Sequence, residues 1–125
     1  LKRVFTSEAP KPVGAYSQAV KAGEFLFISG QIPIDPNQGS VVEGEFKEQV
    51  ERVFKNLEAI LKAESLSLDK IVFLTIYLTD LSDFPLVNEI CEKYFRGNYP
   101  ARESVEVSSL PKGVRIEISA VAYAG

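Results

Sequence analysis

The chain has 125 residues, 46% of them hydrophobic and 25% charged, which suits one globular domain, 1–125, and is too short for two of ordinary size. Fourteen Lys and Arg against 17 Asp and Glu leave a net charge of -3, a poor basis for electrostatic nucleic-acid binding. With no His and one Cys, the composition excludes His-dependent nucleophile systems, His-ligated metals, an internal disulfide and an all-cysteine zinc site.

In chain order, a first short strand is possible around Arg3 to Thr6. Ser17 to Lys21 and Phe25 to Ile34 follow as apolar strands joined by Ala22-Gly23-Glu24, and Pro33 ends or edges the second. Asp35 to Gly39 is a turn cluster. From Phe46 to Ala63 the period becomes helical, with Phe46, Val50, Val53, Phe54, Leu57, Ile60 and Leu61 on one face. The opposite face carries Glu48–Arg52, Glu51–Lys55 and Glu58–Lys62 at ion-pair spacing. That charge pairing makes Glu45, Glu48 and Glu51 a solvated face, and no metal centre is expected.

Lys70 to Thr79 is β-branched and aromatic on both faces, the pattern of a buried central strand. Ser82 and Asp83 offer caps for a second helix, with Pro85 in its first turn and Phe84, Val87, Cys91, Tyr94 and Phe95 on its apolar face. Gly97 to Pro100 stops it, and strands Ala101 to Val107 and Val114 to Tyr123 finish the chain. The pattern predicts an α+β fold, a mixed sheet with two helices on one face. The second apolar face of Ile71 to Leu78 is then left uncovered, and another copy of the chain is the expected cover. No apolar run approaches the roughly 20 residues of a membrane span, no signal core is present, and a reducing cytoplasm is the expected compartment.

Alternation puts Arg102 and Ser104 on one side of their strand. If Val107 pairs with Val114, Ser104 faces Glu117 and Arg102 faces Ser119, which makes one polar patch. The patch reads either as a solvated face with a cross-strand ion pair or as an anion site with a carboxylate able to activate water. Gly30 inside an apolar strand marks a kink or a close approach to a ligand. Tyr16 is an edge aromatic or a pocket wall, and Cys91 belongs to the core stripe of the second helix. No Gly-rich phosphate motif occurs, so no nucleotide cofactor is expected.

GAYSQAV (14–20), SGQIPID (29–35), TDLSDFPLVN (79–88), YPARESVEV (99–107) and LPKGVRIEISAVA (110–122) resemble the signatures of the RidA/YjgF family, the reactive-intermediate deaminases. Arg102 in the PAR block and Glu117 in the IEI block match its RidA branch. The resemblance implies a chorismate-mutase-like (ferredoxin-like) fold and a homotrimer with sites between subunits. It implies cofactor-independent hydrolysis of 2-imino acids and their enamine tautomers, released by pyridoxal-phosphate enzymes, to 2-oxo acids and ammonia. In that reading Arg102 holds the substrate carboxylate and Glu117 activates water. Tyr16, Ser29, Gly30, Asn88 and Ser104 line the cleft. Ala15 stands where Pro often follows the Gly, and Ser104 where many members carry Cys, so no essential thiol is expected there. A non-enzymatic binder of small 2-oxo acids and an endoribonuclease or translation inhibitor are the alternative functions.

Overall fold

The computed structural model describes all residues, 1–125. Strands β1 (Lys2–Val4), β2 (Ala19–Ala22) and β3 (Phe25–Gln31) form an antiparallel meander. A small ribbon follows, β4 (Ile34–Asp35) with β5 (Ser40–Val41), and then helix α1 (Phe46–Lys62). The rest of the chain is β6 (Ile71–Leu78), α2 (Phe84–Phe95), β7 (Ala101–Glu106) and β8 (Ile116–Tyr123). The main sheet has six strands in the order β1-β2-β3-β8-β6-β7, with β6 and β7 parallel and every other pair antiparallel.

Both helices pack on one face of this sheet. Val50, Val53, Phe54, Leu57, Ile60 and Leu61 of α1 and Val87, Ile90, Cys91 and Phe95 of α2 share a core with Leu26, Ile28, Leu74, Ile76, Leu78, Ile116 and Ile118. Phe54 joins the helices: its ring stacks on Tyr94 at 4.9 Å and meets Phe95 edge-on at 5.9 Å. Such aromatic pairs add about 0.5–1.5 kcal/mol beyond the area they bury. The alternate residues of the same strands face the other way, onto a face with no helix. Phe27 is 50% and Val105 41% exposed there, beside half-buried Phe73, Tyr77 and Val121.

The predicted elements all appear, with shifted ends. The N-terminal strand is Lys2–Val4 rather than Arg3 to Thr6, and the next begins at Ala19 rather than Ser17. The third strand stops at Gln31, because the register against β8 shifts between Ile28 and Gln31 and Pro33 has no N–H for a ladder. Ser82 and Asp83 do not cap α2. Asp80 accepts from the Ser82 N–H at 2.9 Å to open a single turn before the helix, while Asp83 takes both arms of Arg115, at 2.7 and 3.2 Å. None of the three i,i+4 ion pairs expected along α1 forms, and two of their members take other partners. Glu51 pairs with Lys93 of α2 at 2.7 Å, and Arg52 donates to Asn56 at 3.1 Å.

The largest correction concerns the last two strands. Val107 and Val114 do not pair as a hairpin, because β6 lies between β7 and β8. The physical reason is the connection through α2. A strand that returns after a crossover helix runs parallel to the one it left. The two-sided apolar strand β6 takes the interior position, and the mostly exposed Ala101–Glu106 takes the sheet edge. Across β6, Leu74 is opposite Arg102 and Ala120, whereas Tyr77 is opposite Val105 and Glu117. Leu74 and Tyr77 are an odd number of residues apart, so Arg102 and Glu117 lie on opposite faces of the sheet.

Candidate active site

Six of the seven candidate residues form two separate groups. The first lies where β3 and β8 meet the loop before β2. Tyr16, Ser29, Gly30 and Glu117 line a cavity of about 330 Å³ with Val13, Ile32 and Pro111. Ser29 is fixed twice: its Oγ donates to the Ser17 carbonyl at 2.6 Å, and its N–H to the Gln18 carbonyl at 2.9 Å. Tyr16 accepts from the Val13 N–H at 3.2 Å through its hydroxyl.

Gln18 anchors this loop and was not anticipated as a site residue. It is 2% exposed. Its Oε1 accepts from the Thr6 N–H at 2.7 Å, and its Nε2 donates to the carbonyls of Thr6, Ala9 and Pro10 at 3.0, 3.3 and 2.9 Å. The available signal was an amide side chain beside an apolar run, where only a fully bonded polar group is tolerated.

Glu117 is half-buried and its carboxylate has no hydrogen-bond partner in the chain. Burial pushes its carboxyl above the ordinary value of 4.5. It lies directly over Gly30. A Cβ at Gly30 would stand 2.8 Å from Glu117 Cδ and 3.0 Å from Cγ, closer than side chains tolerate. The glycine in this apolar strand is therefore the space that the carboxylate occupies.

The second group lies on the helix-bearing face. Asn88 and Arg102 line a cavity of about 470 Å³ with Leu74, Cys91, Glu92 and Tyr99 among its walls. The Arg102 guanidinium carbon sits 5.0 Å from the centre of the Phe84 ring, and its Nη1 donates to Asn88 Oδ1 at 3.0 Å. None of the chain's three salt bridges involves it. It is an oriented guanidinium with no carboxylate on its fork, the arrangement that grips a carboxylate ligand. Arg115, by contrast, is consumed by Asp83 and by the Phe46 ring at 4.3 Å. Phe84 appeared in the sequence only as part of an apolar helix face.

Ser104 is on the Arg102 face, opposite Ile76, and lines neither cavity; its Oγ is buried without a hydrogen-bond partner. Cys91 is buried beside Arg102, and desolvation raises its thiol despite the opposing positive charge. It is a neutral core thiol and poorly suited to attack.

The chemistry is thus divided. One group offers a cation for an anionic substrate, and the other an unpaired, partly desolvated carboxylate suited to take a proton. No helix is long and apolar enough to cross a membrane.

The model of the family described as endoribonuclease L-PSP matches residues 6–124. A RutC family protein of Pyrococcus horikoshii is 54% identical over 120 residues, covering 96% of this chain and 95% of that protein. The 2-iminobutanoate/2-iminopropanoate deaminase of Rattus norvegicus is 47% identical over 124 residues, covering 99% and 90% respectively. The structure of E. coli TdcF with bound serine superposes with a TM-score of 0.94 at 37% identity, covering 100% of both chains. Matches of this extent carry the mixed sheet and its two helices as well as the sequence blocks, and the chain belongs to the RutC/YjgF/RidA family.

Proposed function

We propose that the protein is a 2-iminobutanoate/2-iminopropanoate deaminase, a hydrolase that converts 2-imino acids and their enamine tautomers to 2-oxo acids and ammonia. The catalytic cleft forms between copies of the chain in a homotrimer. The observation that carries this reading is the division of the site. Arg102 has an anion-binding fork with no carboxylate on it, Glu92 of the same cavity being bonded to Asn88 instead, and Glu117 is a partly desolvated carboxylate with no cation in its cavity. A neighbouring copy that covers the open sheet face, with its exposed Phe27 and Val105, is suited to bring the two groups together.

In this cleft Arg102 of one subunit holds the substrate carboxylate, which aims the adjacent imine carbon at a single water. Glu117 of the next subunit accepts a proton as the water oxygen bonds to that carbon. The electron pair of the C=N bond moves to nitrogen, which is protonated. Collapse of the carbinolamine breaks the C–N bond, so imine plus water gives 2-oxo acid plus ammonia. Water is the sole co-reactant, and the reaction needs neither metal nor cofactor. Tyr16, Ser29 and Gly30 wall the cleft on the Glu117 side, and Asn88 and Ser104 belong to the Arg102 side. The rat relative bears the deaminase name, and serine, bound to TdcF, carries the same carboxylate handle as a 2-imino acid.

The direct test generates imines with an amino-acid oxidase or a dehydratase and times their disappearance with and without the protein. Catalysed loss is expected, and Arg102→Ala should lower kcat/KM by about 10- to 150-fold, the worth of a charged hydrogen-bonded contact. Pyruvate binding without catalysed loss would instead make the protein a binder of 2-oxo acids. RNA affinity that falls steeply with salt would support the activity named in the family description.

Gly30→Ala tests the close approach. The added methyl needs the Glu117 carboxylate to swing aside, and a displacement near 1 Å at a reacting group costs about 10²-fold in rate. Gly30 is not among the positive-φ glycines, so the backbone accepts alanine and the thermal midpoint should barely move. Full activity in Gly30→Ala would separate Glu117's position from catalysis.

A further inference from the structure

We propose that Glu92 is a positioning residue for Arg102 and acts through the amide of Asn88. The inference rests on the reading of Arg102 as the carboxylate clamp.

Phe84, Asn88 and Glu92 follow one another at four-residue intervals along α2, so they form one stripe on the helix. Phe84 supplies a ring face to the guanidinium at 5.0 Å, and Asn88 Oδ1 accepts from Arg102 Nη1 at 3.0 Å. Asn88 Nδ2 then donates to Glu92 Oε1 at 3.2 Å. Glu92 and Arg102 wall the same cavity, yet the two do not form a salt bridge.

The amide matters because its two ends have nearly the same shape and opposite hydrogen-bonding character. A guanidinium only donates. Asn88 supports Arg102 when its oxygen faces the guanidinium, and opposes it when flipped, with NH₂ against N–H. A carboxylate only accepts, so Glu92 favours the supporting orientation. The relay also solves an electrostatic problem. A carboxylate placed directly on the Arg102 fork would compete with the substrate's carboxylate. With the amide interposed, Glu92 orients the arginine while its fork stays free.

The sign of the effect separates this role from simple charge. If Glu92 acted only as a negative charge in an anion-binding cavity, its removal would tighten anion binding. If it acts through Asn88, removal weakens binding. Glu92→Ala should raise the Kd for pyruvate and the KM for imine by about 3- to 10-fold, the scale of one hydrogen bond. Turnover at saturation should change by less than about two-fold, because Glu92 does not meet the reacting carbon. Glu92→Gln, whose side-chain oxygen can still accept, should recover most of the loss. In an Asn88→Ala background the Glu92 substitution should have no further effect, since the relay is already broken.

Calorimetric titration of wild type and the four variants with pyruvate, beside Arg102→Ala and the imine assay, reads all of these outcomes. Tighter binding in Glu92→Ala, or losses that add in the double variant, would overturn the positioning role while Arg102 still governs affinity. Wild-type pyruvate affinity in Arg102→Ala would remove the clamp itself, and with it the role of Glu92.

Discussion

Subunits carrying Arg102→Ala and subunits carrying Glu117→Gln, each impaired by about 10-fold or more alone, should regain about one quarter of wild-type activity when assembled together in equal amounts. The expectation follows from the placement of the two groups on opposite faces of one sheet. In the proposed cyclic assembly each cleft would take its Glu117 side from one subunit and its Arg102 side from the next. A cleft is intact when an Arg102→Ala chain supplies the first and a Glu117→Gln chain the second. Random assembly gives each condition at about one half, hence about one quarter together. Co-expression with two affinity tags, or joint refolding, provides the mixed assemblies. A second mixture guards against partial activity in either variant. Wild-type chains mixed equally with the double variant should retain about one quarter of full activity if clefts are shared, and about one half if each chain holds a whole site. Failure to complement, together with half-activity in the second mixture, would place Arg102 and Glu117 in one chain's site and overturn the intersubunit cleft.

This division could not be read from strand alternation alone. Alternation correctly put Arg102 and Ser104 on one side of β7, and Glu117 on the side of β8 away from Ile116 and Ile118. What it could not supply was the neighbour of each strand. Adjacent strands in sequence most often pair, and on that rule β7 met β8 and the charged groups merged into one patch. The competing fact was also in the sequence. A helix separates β6 from β7, and a crossover helix allows those two strands to lie side by side in parallel. Once β6 is placed between β7 and β8, the register reverses the relation of Arg102 to Glu117 without moving either within its own strand.

The period-based elements fared better for a related reason. The apolar stripe of α1 and the two-sided apolar β6 depend on local spacing, and both appear where expected. Side-chain partners depend on tertiary neighbours instead. Glu51 turned from Lys55 to Lys93, and Asp83 from the helix cap to Arg115. Gly30 was legible as an anomaly, yet only the fold shows that the occupant of its missing side chain is Glu117. Gln18 and Asn56 are two of the three buried polar residues, with Gln31, and periodicity passed over both. Gln18 holds the loop carrying Tyr16, and Asn56 donates to the carbonyls of Ile32 and Ile34 at 3.3 and 3.0 Å. Through them the loops around the Glu117 cavity are tied to the core.

Glu117→Gln should lower turnover by about 10²–10⁴-fold, the usual worth of a positioned general base, while pyruvate affinity stays close to wild type. The substitution keeps the side chain's length and its fit over Gly30, and removes the proton acceptor. In the proposed cleft carboxylate binding falls to Arg102 of the neighbouring subunit, so affinity and turnover should respond to different subunits. The pH profile gives an independent reading. Burial raises the Glu117 carboxyl above 4.5, because the charged form loses water and gains no hydrogen bond in exchange. A base works when ionised, so wild-type activity should rise with pH along an acid limb, raised by burial and lowered by the Arg102 charge across the cleft, and that limb should vanish from the residual activity of the Gln variant. If Glu117 instead served only to balance Arg102 of the neighbouring subunit, Glu117→Gln would alter pyruvate affinity, and saturated turnover would persist. Persistence of both turnover and the acid limb in Glu117→Gln would assign proton transfer to another group and leave alignment by Arg102 as the principal catalytic device.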